Sequence, residues 1–104
     1  MHVIINIGRN IGTTPMSEGE WNMFRAGVRA SIRIHTRGEF GGMLEFAGVG
    51  EWETVQEESA SIQAFDVKEL DAAGLRGTLA RLAKDYRQDA IALTIAGGSE
   101  LIEP

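Results

Sequence analysis

Residues 59–96, SASIQAFDVKELDAAGLRGTLARLAKDYRQDAIALTIA, decide the fold, because the hydrophobic period changes twice within them. "SASIQAF" has the pattern of a strand. Leu75, Leu79, Leu82 and Tyr86 then recur at helical spacing and predict the buried stripe of a helix over about residues 67–88. Asp66 and Glu69 are spaced as a capping box for its start, with Phe65 and Leu70 as the hydrophobic staple. "AIALTIA" is a strand so apolar that burial on both faces, or at an interface, is expected. The remaining "GGSELIEP", residues 97–104, reads as a short tail.

The first half of the chain repeats this order without repeating the sequence. "HVIINIG" predicts a strand over about residues 2–8, closed by the loop "RNIGTTP". Ser17 is placed as an N-cap, Glu20 as its capping-box partner and Met16 as a staple for Trp21. Trp21, Phe24 and Val28 supply an apolar helical face. The helix is expected to stop near Ala30 to Ile32, because Ile32, Arg33, Ile34 and His35 alternate as a strand does. "MLEFAGVGEW" predicts the next strand, bent at Gly48 and Gly50, and "ETVQEES" the turn after it. The order β-α-β-β-α-β defines one ferredoxin-like α+β domain over residues 1–104. Its two helices cover one face of an antiparallel sheet with the usual spatial order 4-1-3-2.

Bulk composition narrows the function classes. The chain has 104 residues, 43% of them hydrophobic and 24% charged, which places it among single folded domains. Cysteine is absent, which excludes disulfides, thiolate metal sites and a cysteine nucleophile; two histidines leave little room for zinc. No metal and no cofactor is expected. No apolar run reaches the roughly 18 residues that span a bilayer, and the start lacks the features of a signal peptide, so the expectation is a cytoplasmic protein without a membrane partner. A net charge of −5 argues against broad nucleic-acid binding. The charge is polarised, however. Arg25, Arg29, Arg33 and Arg37 occur without an acid between them, whereas residues 39–71 carry nine acids against Lys68 alone.

Several short motifs have a familial look. "NIG" at the end of the first strand, "SEGEWNMF" at the first helix, "GVGEW", "EES" and "DYRQDAIAL" together resemble an uncharacterised bacterial family, domain of unknown function 3574. The similarity spans most of residues 3–95. It implies the same fold and brings no activity with it. Many members of that family look like secreted lipoproteins, and this sequence has no lipid-accepting cysteine.

Two clusters are candidate sites. In a 4-1-3-2 sheet the end of the first strand is expected beside the beginnings of both helices, gathering Arg9, Asn10, Thr13 and Thr14 near Ser17, with Arg37 approaching from the next strand's entry. Helix N-termini and arginines suit a phosphate or carboxylate, which makes an anionic small molecule the expected ligand. An ordinary turn, with Arg9 paired to Asp66 or Glu69, is the competing reading. A second group is His35, Trp52, Glu57 and Glu58. Adjacent glutamates in a strand point to opposite faces, so they do not form an acid/base pair with each other. Arg25 and Arg29 are expected on a solvated helix face, with Arg33 and Arg37 beyond the helix end.

No nucleophile triad, metal motif or phosphate loop is present. The leading expectation is therefore a non-catalytic ligand-binding or interaction domain acting as a homo-oligomer, since Leu44, Phe46, Ile62, Ala64, Leu93 and Ile95 need cover that helices on one side cannot supply. A small enzyme with its site between the sheet faces of a dimer is one alternative. A phage or mobile-element inhibitor that sequesters a nucleotide or a protein partner is the other.

Overall fold

Alternation along the first strand sets the layers. In β1 (Val3–Gly8), Val3, Ile5 and Ile7 are buried against helices, while Ile4 and Asn6 face the opposite way. The computed structural model describes all of residues 1–104. After β1 come a small hairpin, β2 (Asn10–Ile11) and β3 (Thr14–Pro15), then α1 (Glu18–His35) and the long hairpin of β4 (Gly42–Trp52) and β5 (Val55–Phe65). The chain continues with α2 (Ala72–Asp85), β6 (Ile91–Ile95) and β7 (Gly98–Ile102). The five long strands form one antiparallel sheet in the order β4-β5-β1-β6-β7. This is the ferredoxin-like α+β order read from the sequence, with one strand added at the β6 edge.

That added strand corrects the reading of residues 97–104 as a tail. Ala96 and Gly97, both at positive φ, make a tight turn, after which Ile102 packs into the core and Leu101 points outward. Glu100 takes a two-pronged bond from Arg76 on α2, at 2.7 and 3.1 Å. Hydrogen bonding from Arg76, and its charge, hold the Glu100 carboxyl below its ordinary value. The folded value is the lower one, so this contribution is present above the ordinary carboxylate range and is lost as pH falls below that range, through the folded value. Melting temperatures of the parent and Glu100→Gln should differ at neutral pH and converge in acid, below the ordinary carboxylate range. A constant gap, or none, would remove the coupling.

The helix ends also depart from expectation. Ser17 caps α1 as predicted, its hydroxyl accepting the Glu20 N–H at 3.2 Å, but the helix runs on through His35. Ile32 is fully buried, one turn beyond Val28, whereas Ile34 is 67% exposed, so the helical period prevails over the local alternation. Arg33 consequently lies on the helix, and only Arg37 is beyond it. Arg25 and Arg29 are not on a free solvated face: both bind Glu45 of β4, and the Arg25 guanidinium lies 5.5 Å over the Trp21 ring. The second helix is capped by Asp71 rather than Asp66, with Gly74 N–H donating at 3.0 Å. Residues 66–70 instead form a strap in which Val67 is buried and exchanges hydrogen bonds with Met1. At the β4–β5 turn, Glu53 and Thr54 take positive φ, so strand pairing begins at Val55 and absorbs most of the expected turn "ETVQEES".

The core is the seam between the sheet and the two helices, with Phe24 fully buried and stacked on Tyr86 at 4.7 Å. Ile62, Ala64, Leu93 and Ile95 belong to this side, not to the open face. The open face carries Leu44, Phe46, Trp52, Val55 and Leu101, each about half exposed or more. No helix is long and apolar enough to cross a membrane.

Candidate functional site

Antiparallel geometry separates the two helix starts. α1 begins at the Gly8 end of β1, where Met16 N–H bonds Arg9 C=O; α2 begins at the opposite end, where Asp71 N–H bonds His35 C=O. The expected gathering of both helix N-termini therefore does not form. Arg37 sits exposed at the far end, after α1, and does not converge with Arg9. Nor is Arg9 free: it donates to Met16 C=O at 2.8 Å, binds Glu58 at 2.7 Å and lies 3.4 Å from Glu18. His35 is also at the far end, its Nε2 2.8 Å from the Thr78 hydroxyl and its Nδ1 3.5 Å from Asp71.

What the Gly8 end does hold is a cavity of about 480 Å³. Its walls are the end of β1, the β2–β3 hairpin, the tip of the β4–β5 hairpin and the segment after α2. Of the residues singled out in the sequence, Asn10, Thr13, Trp52 and Glu57 line it together. Glu58 points to the other face of β5, toward Arg9, as strand alternation requires. Thr14 is exposed on β3 and is not part of the wall.

Glu57 is held with some precision. Its Oε2 accepts the Asn10 N–H at 2.7 Å, and its carboxylate occupies the space where a β-carbon on Gly8 would stand. A side chain on Gly8 would push it aside. Glu53 and Asp89 add two more carboxylates to the wall, and the single arginine there, Arg87, is drawn off to Glu20 at 2.8 Å. Such a cavity favours a cation, the reverse of the anionic ligand expected from Arg9 and Arg37. Glu53 and Arg87 both have φ near 55°, so two wall residues occupy backbone conformations that disfavour side chains.

Asn6, Gln88 and Asp89 were not anticipated. Asn6 is the polar member of "VIINIG" at an open-face position, a signal that period-2 reading passes over. Gln88 is 8% exposed and donates to the backbone carbonyls of Asn10 and Tyr86, tying the segment after α2 to the β2–β3 hairpin. A second hollow of about 310 Å³ adjoins the first on the open sheet face, sharing Asn6 and Trp52 with it. No group of three or more histidine, aspartate or glutamate side chains is placed to hold a metal ion.

Known structures bear on this arrangement. The chain has the fold of a phage SAM lyase. The structure of that lyase in complex with S-methyl-5'-thioadenosine superposes with a TM-score of 0.55 and 20% sequence identity, covering 99% of this chain and 88% of that one. The apo state of a phage SAM lyase gives a TM-score of 0.54 at the same identity. No family model matches the chain, and no curated protein does. These likenesses overturn the leading expectation of a non-catalytic binding domain, since both solved structures are of an enzyme, a phage SAM lyase.

Proposed function

We propose that this chain is an enzyme that binds a sulfonium nucleoside of the S-adenosylmethionine type in the cavity at the Gly8 end and breaks a carbon–sulfur bond, releasing a neutral thioether. One observation carries the reading. The cavity presents three carboxylates and an arginine already engaged elsewhere, on a fold shared with a phage SAM lyase. A sulfonium amino acid brings two positive groups, the sulfur and the ammonium, and both are drawn to carboxylates that face them.

Glu57 is the residue assigned to the chemistry. One of its oxygens is fixed by Asn10, and the other remains for the substrate. When the bond breaks, its electron pair leaves with sulfur, which becomes a neutral thioether. The open valence at carbon is closed from within the substrate. Either a neighbouring C–H gives its proton to Glu57 and its electrons to a double bond, or the substrate's carboxylate attacks and closes a cyclic ester with no proton moved. Incubation with S-adenosylmethionine and mass spectrometry of the products tests the proposal. S-methyl-5'-thioadenosine should accumulate in proportion to protein, and the four-carbon product separates the two routes. Release no faster than the protein-free control overturns it.

The active form in this reading is a cytoplasmic homo-oligomer in which a second copy roofs the open face, covering Leu44, Phe46 and Leu101. Light scattering on the eluting protein at low and high salt checks this. A monomer under both conditions would remove it.

A further inference from the structure

The open face of the sheet has one bare patch of floor, at Gly48. Gly8, Ser59 and Gly48 lie side by side across β1, β5 and β4, and the next row is Asn6, Ser61 and Phe46. No heavy atom lies within 4 Å of the place a β-carbon on Gly48 would take. On β4 the open-face positions run Phe46, Gly48, Gly50, Trp52, so two aromatic side chains bracket two glycines. Six steps along the strand separate the brackets by about 20 Å. Trp52 shortens that gap by folding back, its Nε1 3.1 Å from where a β-carbon on Gly50 would be.

Glycine inside a strand weakens it, and in a sheet it marks a close approach by something other than a side chain. At Gly50 the Ser59 hydroxyl and the Trp52 indole take the space a side chain would need, whereas over Gly48, between the exposed aromatics, nothing within the chain fills it: the helices are on the other side. A flat ring laid on Gly48 and Ser59 meets an indole at one end, a phenyl at the other and the Asn6 amide at its edge. Asparagine sets an N–H donor beside a C=O acceptor, the pair that matches adenine.

We propose that the hollow bracketed by Phe46 and Trp52 is a purine subsite. The base lies on the Gly48 floor with its edge against Asn6, and the ribose crosses between Asn6 and Trp52, which both cavities share, toward Glu57. The choice of a nucleoside rests on the sulfonium-nucleoside reading above. The floor and its aromatic walls are independent of that reading.

S-methyl-5'-thioadenosine is the probe, because it is uncharged and does not draw on the carboxylates. Trp21 is buried, so quenching of the exposed indole of Trp52 reports the bound base. 5-Methylthioribose, which lacks the base, should bind at least about tenfold more weakly. Gly48→Leu fills open space and preserves strand pairing; it should raise the Kd for the nucleoside about tenfold or more while the melting temperature holds. Unchanged affinity in Gly48→Leu, equal binding of the base-free probe, or no nucleoside binding at all would overturn the subsite. Cleavage that persists alongside any of these places the base elsewhere and leaves the enzyme reading intact. Loss of binding in Gly48→Leu, in a parent protein that never cleaves, supports the subsite and removes the enzyme reading.

Discussion

Glu57→Gln should lower the rate of thioether release by about 100- to 10,000-fold on the double-bond route, where Glu57 takes the proton, the loss typical when a positioned general base is removed. The substitution is nearly isosteric. The glutamine oxygen still accepts the Asn10 N–H, so the hairpin geometry survives and the melting temperature should hardly move. Only the charge and the capacity to take a proton are lost. Gly8→Ala makes the complementary change, keeping the carboxylate but displacing it, because the new β-carbon claims its position. Both variants should lose turnover, and Glu58→Gln, on the opposite face with Arg9, should not. Wild-type rates in Glu57→Gln would withdraw the assignment of that carboxylate.

Trp21→Ala should lower the unfolding free energy by about 3 to 5 kcal/mol, a large share of what a domain of this size has. The ring is 3% exposed, meets Phe24 edge-on at 6.1 Å and lies under the Arg25 guanidinium. Through Phe24 it touches the stack with Tyr86 that joins α1 to the end of α2. Its removal therefore opens a cavity at the seam between helices and also strips Arg25 of its aromatic support. Chemical denaturation of the variant measures the loss. A midpoint within error of the parent would mean that α1 does not bury this face.

The order of elements was legible because the periods were clean: Val3, Ile5, Ile7 for a strand, Trp21, Phe24, Val28 and Leu75, Leu79 for helices. Boundaries failed where local chemistry pointed two ways. Asp66 and Asp71 are both acceptable caps, and burial of Val67 against the first residue of the chain selects the second. The tail was misread because Glu100 and Leu101 look like solvent residues until Arg76 and the open sheet face are placed beside them. The candidate site was half legible. Adjacent Glu57 and Glu58 announced opposite faces, but which one lines a cavity depends on Gly8, forty-nine residues away from Glu57 in sequence and in contact only through the sheet. Arginines were the weakest guide, since Arg9, Arg25 and Arg29 are absorbed by Glu58, Glu18 and Glu45.

The β4–β5 hairpin overhangs the sheet. β1 ends at Gly8, opposite Ser59, so beyond Glu58 the two strands pair only with each other, and Trp52, Glu53 and Glu57 ride on that overhang. Changes of length or sequence at the tip cost the core little, because none of the buried residues lies there. Such a chain can drift in what it accepts while keeping its stability margin. Homologues should accordingly vary most between residues 49 and 56, with Glu57 itself kept, and laboratory selection for new substrates should find its first gains there.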